Sequence, residues 1–559
     1  MKLPIGIDDF GKIINESYDL VDKSLLIKDI IEDGAEVILI TRPRRFGKTI
    51  NMSMLECFLG IHKKQENNLF KDLKISTDVD FCDTHQNKYP VIFITFKKVS
   101  AGNIDLAENL IKQLLSKLYR DHKKYLYEKL SSFEQKLYNR IIDSTLSAAE
   151  LRSAIQELTG FYHKVTGIKP ILLIDEYDSP IHSGYTNNYY EKIISLMQGI
   201  FGDALKGNRD LHKAVVTGIT KVSAESLFSD LNNIKSYNVL DKGYSQYFGF
   251  SEEEVLVLIN KSNLNIKSKD IKNWYNGYFF GDSIIYNPWS IINCLAQQGQ
   301  LKSYWINTSQ NTLLESLLSN SKANVKEQFE TLLQDKEIEQ PIEDNLVFPL
   351  LDKQDSALWT LLLYTGYLKA EGITLIRGQR IAKLQIPNDE VKMVYEKIFE
   401  NWFYSTESLS VKNYNYFINS LKNNQLDIFE QVLKDYISES GSYFDFNKNT
   451  KEQVFHSFIL GLVVGLREDY LIKSNQESGY GRFDVAFVPK DKTRNGIILE
   501  FKLASDIKDL ENKANEALLQ ISDKRYTDIF KEQGIKTAIT IGLAFCGKEL
   551  KLLSKNINL

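Results

Sequence analysis

"ITRPRRFGKTINMS", residues 40–53, decides how the rest of the chain is read. An apolar, β-branched run, "AEVILIT" (35–41), precedes the turn "RPRRFGK", and "TINMSMLECFL" continues as a helix. A strand, a tight turn and a helix N-terminus together present inward-facing backbone N–H groups, the usual way a chain holds phosphate oxygens. Gly47 lets the backbone approach a phosphate without a Cβ clash. Lys48 is placed to reach β- and γ-phosphates, and the Thr49 hydroxyl to ligate Mg²⁺. The usual motif opens with a glycine five positions before Gly47, and here that position is Arg42. Pro43 stiffens the entry, while Arg42, Arg44 and Arg45 add positive charge, with Arg45 taken as a nucleotide contact. On the residues alone two readings stay open: a variant phosphate cradle, or a basic strand–helix turn with no ligand.

Downstream, "ILLIDEYD" (171–178) is an apolar strand ending in adjacent carboxylates. That places charge at the carboxyl edge of a sheet, where ligands of open α/β folds bind. Asp175 is the candidate Mg²⁺ holder and Glu176 the group that orients or polarises an attacking water. "AVVTGIT" puts Thr217 at another strand end, either to sense a γ-phosphate or as an ordinary strand-end threonine.

The chain has 559 residues, enough for about three to four domains. Hydrophobic residues make up 43% and charged ones 25%, a normal globular balance, and the net charge is −4. A global nucleic-acid footprint is therefore excluded, and any such contact must come from a local patch. The four cysteines are scattered without CxxC pairs, which argues against a zinc cluster and for a reducing compartment. With no long apolar run and no signal-peptide core at the start, the chain reads as cytoplasmic, without a membrane partner.

Short apolar runs at 35–41, 89–96, 169–177 and 213–220 alternate with helical stretches such as 104–120 and 147–167. This is the pattern of a parallel sheet buried on both faces. From about 250 to 440 the text turns mostly helical, interrupted by the aromatic stretches "WYNGYFFGDSIIYNPWS" (274–290) and "YWINTSQN" (304–311), read as packing. The last 110 residues read as a helix at about 450–466, strands at 481–489 and 496–504, a long helix at about 506–532, and a final strand in "KTAITIGLAF".

The N-terminal part resembles the AAA-ATPase-like family of P-loop proteins. The resemblance lies in "LPIGIDDFGKII", "YDLVDKSLLIKDII", "ITRPRRFGKT", "LLIDEYDSP", "TGITKVSAESLFSDLNNI", "WYNGYFFG…IYNPWSI" and "YWINTS", and runs through roughly 1–310. That family carries the same Arg-Pro-Arg-Arg-Phe-Gly-Lys-Thr run, so the resemblance implies a working variant cradle that binds ATP with Mg²⁺. It also implies a possible homo-oligomer, since P-loop ATPases of this broad type often use a neighbour's arginine.

A second constellation lies in "GRFDVAFVPKDKTRNGIILEFK" (481–502). Asp484 falls in one strand, Glu500 and Lys502 in the next. Glu500 and Lys502 are two apart and share a face, with Phe501 on the other. Two carboxylates with a lysine suit a divalent cation that activates water and offsets phosphate charge, Lys502 assisting; a solvated hairpin face is the plainer reading. The unit resembles the PD-(D/E)XK nuclease superfamily, in the branch fused behind AAA-ATPase-like domains. Asp484, Glu500 and Lys502 match its Asp…Glu-x-Lys pattern, with Phe483 where a proline is usual. Glu452 matches the acidic residue of the preceding helix that adds a metal contact, and Gln520 and Tyr526 match a Gln-x₅-Tyr feature. Arg482 is a candidate phosphate contact.

The expectation is an α/β chain: a P-loop domain (1–245), a mostly helical middle region (246–440) and a restriction-endonuclease-like α/β domain (441–559). It implies an ATPase coupled to a Mg²⁺-dependent nuclease acting on nucleic acid, DNA before RNA. The alternative is a nucleotide-regulated switch or scaffold that binds nucleic acid or a protein without cleaving.

Overall fold

The computed structural model describes residues 1–222, 233–305, 317, 323–333, 335–351, 353–404, 411–439, 459, 466 and 469–559. The chain divides into two compact units, one of Met1–Thr308 with Glu339–Val391, the other of Ser309–Ile338 with Lys392–Leu559.

In the first unit, five parallel strands form one sheet: β1 (Val37–Thr41), β2 (Val91–Thr95), β3 (Ile171–Asp175), β4 (Lys213–Gly218) and β5 (Ile234–Tyr237). Their spatial order is β2-β3-β4-β1-β5. Every residue of β1, β3 and β4 is buried, as near-continuous Val/Ile/Leu runs require when helices cover both faces. The expected strands are thus present, trimmed by one or two residues at their ends. The short edge strand β5 carries no such apolar run and was not read from sequence.

The order has a direct consequence for the strand tips. Because β4 lies between β1 and β3, the register sets Thr41 beside Gly218 and Ile174 beside Val216. The tips of β1, β4 and β3 therefore stand side by side, although the chain visits them far apart. α1 (Lys48–Leu59) leaves directly from the β1 tip. α2 (Ile104–Leu126) and α3 (Ala148–Thr166) begin on Asn103 and Ser147 caps, the latter a full capping box with Glu150. α4 (Tyr190–Leu205) packs its buried Ile193, Met197 and Phe201 inward.

The region beyond 246 is helix-rich but not purely helical. An antiparallel hairpin, Lys369–Ile376 with Gln379–Gln385, and a small two-stranded ribbon, Tyr278–Phe280 with Ser283–Ile285, interrupt it.

In the second unit a five-stranded mixed sheet runs in chain order: β6 (Tyr470–Ser478), β7 (Gly481–Pro489), β8 (Gly496–Leu503), β9 (Thr537–Cys546) and β10 (Glu549–Asn558). Only the β8–β9 pair is parallel. Parallel neighbours need a crossover, and α7 (Leu510–Asp523) supplies it. α5 (Val411–Lys422) and α6 (Leu426–Glu439) cover one sheet face: Phe417, Leu421, Phe429 and Leu433 pack with Val485, Leu499, Phe501 and Ile541. Ile521, Tyr526 and Phe530 cover the other, against Ala486 and Ile498.

The long helix expected at 506–532 is instead broken. α7 ends at Asp523, Arg525 takes a left-handed φ of 56°, and a short α8 (Asp528–Glu532) follows. The break lets Tyr526 turn into the core, which an uninterrupted helix would prevent. The helix expected at about 450–466 lies almost wholly outside the described residues.

Candidate functional site

The β1–α1 turn has the backbone its residue types demand. Gly47 sits at φ 86° as the α1 N-cap. A Cβ there would meet only Ile50 Cγ2, at 3.6 Å, so left-handed conformation rather than space calls for glycine. Arg45 is also left-handed, at φ 67°.

Lys48 is buried, and its Nζ donates to the Arg42 carbonyl at 2.9 Å and the Pro43 carbonyl at 2.8 Å. Burial pulls its ammonium below the ordinary lysine range, opposed by Glu176, Asp175 and Asp178. The Thr49 hydroxyl donates to Asp175 Oδ2 at 2.8 Å, and the Thr217 hydroxyl to Asp175 Oδ1 at 2.7 Å. The fold thus brings Thr49, Asp175 and Thr217 into direct contact. A serine/threonine hydroxyl beside a buried carboxylate is a hard-oxygen donor set, so these residues fit Mg²⁺.

Glu176 is half-buried, accepts from Ser179 Oγ at 3.1 Å, and adopts φ 51°. A left-handed glutamate costs roughly 1–2 kcal/mol, strain of the kind that accumulates at working sites.

Several residues were missed. Thr95, at the β2 tip, brings a third hydroxyl to Asp175 Oδ2, at 3.4 Å. A polar residue closing an apolar strand, as with Thr217, was its signal. Asp178, the last carboxylate of "DEYD", accepts at Oδ2 from the Ile219 and Thr220 amides at 2.8 and 2.9 Å. Burial alone would raise its carboxyl, yet His182 and those amides hold it below the usual range. The neighbouring Tyr177 hydroxyl donates to the Thr220 carbonyl at 2.7 Å. Together these two residues tie the β4 exit to the strand that ends in Asp175.

Arg42 departs from the expectation that it adds charge to the cradle. Its guanidinium is fully buried and donates to the carbonyls of Thr41 (2.8 Å), Tyr237 (3.1 Å) and Gly243 (3.0 Å). It lies 5.3 Å from the Phe280 ring centre and 5.6 Å from that of Phe248. Burial lowers it to about 9, against Asp241. The residue standing in for the motif's first glycine is therefore a bolt that fastens the loop entry to the segment after β5. Arg42→Gly, which restores the ordinary motif, is expected to lower stability by roughly 3 kcal/mol, since charged hydrogen bonds are lost and a cavity is left. Thermal unfolding checks this: an unchanged unfolding temperature would mean those carbonyls are satisfied without Arg42.

In the second unit, Val485 pairs with Leu499, so Asp484 and Glu500 follow at the next register position. Each carboxylate bonds to the other's strand: Asp484 Oδ2 accepts from the Phe501 amide at 2.7 Å, and Glu500 Oε2 from the Asp484 amide at 3.3 Å. Lys502 Nζ lies 3.9 Å from Glu500 Oε1. Phe501 points into the core beside Phe545, as the alternation predicts. Glu500 is nearly fully buried and also accepts from Gln520 Nε2, which in turn lies 3.2 Å from the Tyr526 hydroxyl.

One glycine permits this. Gly542 is the register partner of Glu500, and a Cβ there would stand 2.2 Å from the Ala514 carbonyl. Its absence lets α7 lie against the sheet, so that Gln520 reaches Glu500. Asp484, Glu500 and the Phe501 backbone fit a hard divalent cation, with Lys502 beside them. Glu452 falls outside the described residues. Among the described residues, no three or more His, Cys, Asp or Glu side chains converge as a metal centre.

Comparison with known proteins agrees with both halves. Residues 4–228 match the AAA-ATPase-like family, described as "Predicted AAA-ATPase", and residues 450–555 match the PD-(D/E)XK nuclease superfamily. An uncharacterized protein encoded in the vnfD 5′ region of Azotobacter chroococcum mcd 1 is 26% identical over 542 residues, covering 95% of this chain and 94% of that one. A Walker-type ATPase of Pyrococcus abyssi superposes with a TM-score of 0.34 at 13% identity, over 70% of this chain and 98% of its own. Among the described residues, no helix is long and apolar enough to cross a membrane.

Proposed function

We propose that this chain, which joins an AAA-ATPase-like domain to a PD-(D/E)XK nuclease superfamily domain, binds and hydrolyses ATP and cleaves nucleic-acid phosphodiesters with Mg²⁺. The observation that carries the ATPase half is the 2.8 Å contact between Thr49, in the first turn of α1, and Asp175 at the tip of β3. In this reading Lys48 moves from its own loop carbonyls to the nucleotide's phosphates. Arg45 and the Gly47 backbone add N–H donors, and Thr49 and Asp175 hold Mg²⁺, which offsets phosphate charge when bound. Glu176 orients the attacking water, and Thr217 keeps Asp175 aligned between the two loops.

For the nuclease half, Asp484 and Glu500 hold Mg²⁺ with the Phe501 backbone region. Lys502 steadies the charge that grows on the phosphate during attack. Gln520 and Tyr526 fix the Glu500 carboxylate from behind, as outer partners of metal ligands do. DNA is the substrate of choice in this reading, and the setting is cytoplasmic, where the thiols of Cys57, Cys82, Cys294 and Cys546 stay reduced.

The test is phosphate release from ATP, together with cleavage of supercoiled DNA, linear DNA and RNA, each with and without Mg²⁺ and ATP. Expected are Mg²⁺-dependent phosphate release and Mg²⁺-dependent DNA nicking. Binding of ATP and DNA with neither reaction would replace this reading by a non-cleaving switch.

A further inference from the structure

Within the first unit, the phosphate loop is gripped from a direction that its own sequence does not announce. Glu390 is fully buried, near the start of the helix Asp389–Tyr404. Its Oε1 accepts from the backbone amides of Tyr304 (2.7 Å) and Trp305 (2.8 Å), and its Oε2 from the Ser290 hydroxyl (2.7 Å). The two amide bonds hold the Tyr304–Trp305 backbone in one place, and the Ser290 hydroxyl fixes the carboxylate that makes them. The Tyr304 carbonyl then accepts from Arg45 Nη1 at 3.1 Å and from Trp289 Nε1 at 3.0 Å. The Arg45 guanidinium lies 4.1 Å from the Trp289 ring centre, a cation–π distance. On the same side, Trp305 Nε1 donates to the Arg44 carbonyl at 3.5 Å.

We propose that Glu390 is a positioning residue for nucleotide binding: through the Tyr304 peptide it fixes the direction in which Arg45 presents its guanidinium at the phosphate loop.

A carboxylate is an expensive group to bury, and burial raises this one to about 7. Simple packing would be served as well by an apolar side chain. What an apolar residue cannot do is accept two consecutive amides and a hydroxyl at once. Arg45, for its part, sits in a left-handed turn with a long side chain, and would sample many rotamers without an anchor. A guanidinium has five N–H donors in a fixed plane, so fixing one edge aims the others.

This inference rests on the reading of the loop as a nucleotide site. The experiment titrates the full chain with a fluorescent ATP analogue in Mg²⁺ buffer. The proteins are the wild type, Glu390→Ala, Glu390→Gln, Arg45→Ala and the Arg45→Ala/Glu390→Ala pair, with unfolding temperatures followed in parallel. Glu390→Ala and Arg45→Ala are each expected to weaken binding about tenfold, the scale of one lost charged hydrogen bond. The pair should be no worse than its weaker single variant, because both act on one contact. Glu390→Gln should stay within about threefold of the wild type, since its amide oxygen can accept both N–H groups and its NH₂ can donate to Ser290 Oγ.

Glu390→Asp, one methylene shorter, covers the case in which the alanine variant fails to fold, and is expected to bind as weakly as Arg45→Ala. Wild-type affinity in Glu390→Ala or Glu390→Asp, multiplicative losses in the pair, or a Gln variant as weak as Ala would each overturn the proposal. A wild-type protein that binds no ATP would overturn the nucleotide reading as well, and Lys48→Ala against the wild type identifies that outcome.

Discussion

Asp484→Asn is expected to reduce Mg²⁺-dependent phosphodiester cleavage by about a thousandfold or more, while the protein unfolds at the wild-type temperature. Asp484 and Glu500 come from neighbouring strands of the sheet, and each carboxylate is tied to the other's strand backbone. Asparagine keeps the shape, and its carbonyl can still accept the Phe501 amide, so the ladder survives. It loses the negative charge. Glu500 alone then faces the cation with Lys502 close by, a poor balance for a divalent ion. A bound metal supplies several kcal/mol of transition-state stabilisation, and a thousandfold corresponds to about 4 kcal/mol. A nicking time course with supercoiled DNA checks this. Wild-type cleavage by the variant would remove Asp484 from the chemistry and the nuclease assignment with it.

Lys48→Ala is expected to bring ATP turnover below detection, a loss of at least about a thousandfold. Its buried ammonium bonds to the loop carbonyls themselves, at Arg42 and Pro43. Truncation removes the charge that would meet the phosphates and leaves two carbonyls to find water. Charge placed beforehand in a water-poor site is the largest single term in many phosphoryl-transfer sites. Phosphate release measured beside Asp484→Asn separates the two centres: each variant should lose one reaction through its own site. Turnover by Lys48→Ala at the wild-type rate would return the loop to a ligand-free basic turn.

Much of this was legible in the residues. Runs such as "VILIT" and "ILLID" suit strands buried on both sides, and their first polar residues mark the strand tips. The Asp484, Glu500 and Lys502 pattern similarly announces a shared edge, because alternation leaves Glu500 and Lys502 on one face. Other features were hidden for equally physical reasons. "IKSY" and "ELKLLSKNIN" are edge strands, half exposed, and carry only fragments of an apolar pattern. The break after Asp523 depends on a left-handed Arg525, which no turn residue signals.

The sequence by itself determined which segments must be buried, where the glycine-permitted turn lies, and which side chains could bear the chemistry. Those are local properties, written in periodicity and in the conformational freedom of single residues. Only the tertiary structure decided that β4 stands between β1 and β3, that Arg42 turns inward to hold carbonyls, and that Glu390 reaches Arg45 through Tyr304. Such pairings join residues remote along the chain. What selects them is the joint requirement to fill the core and to give buried polar groups partners.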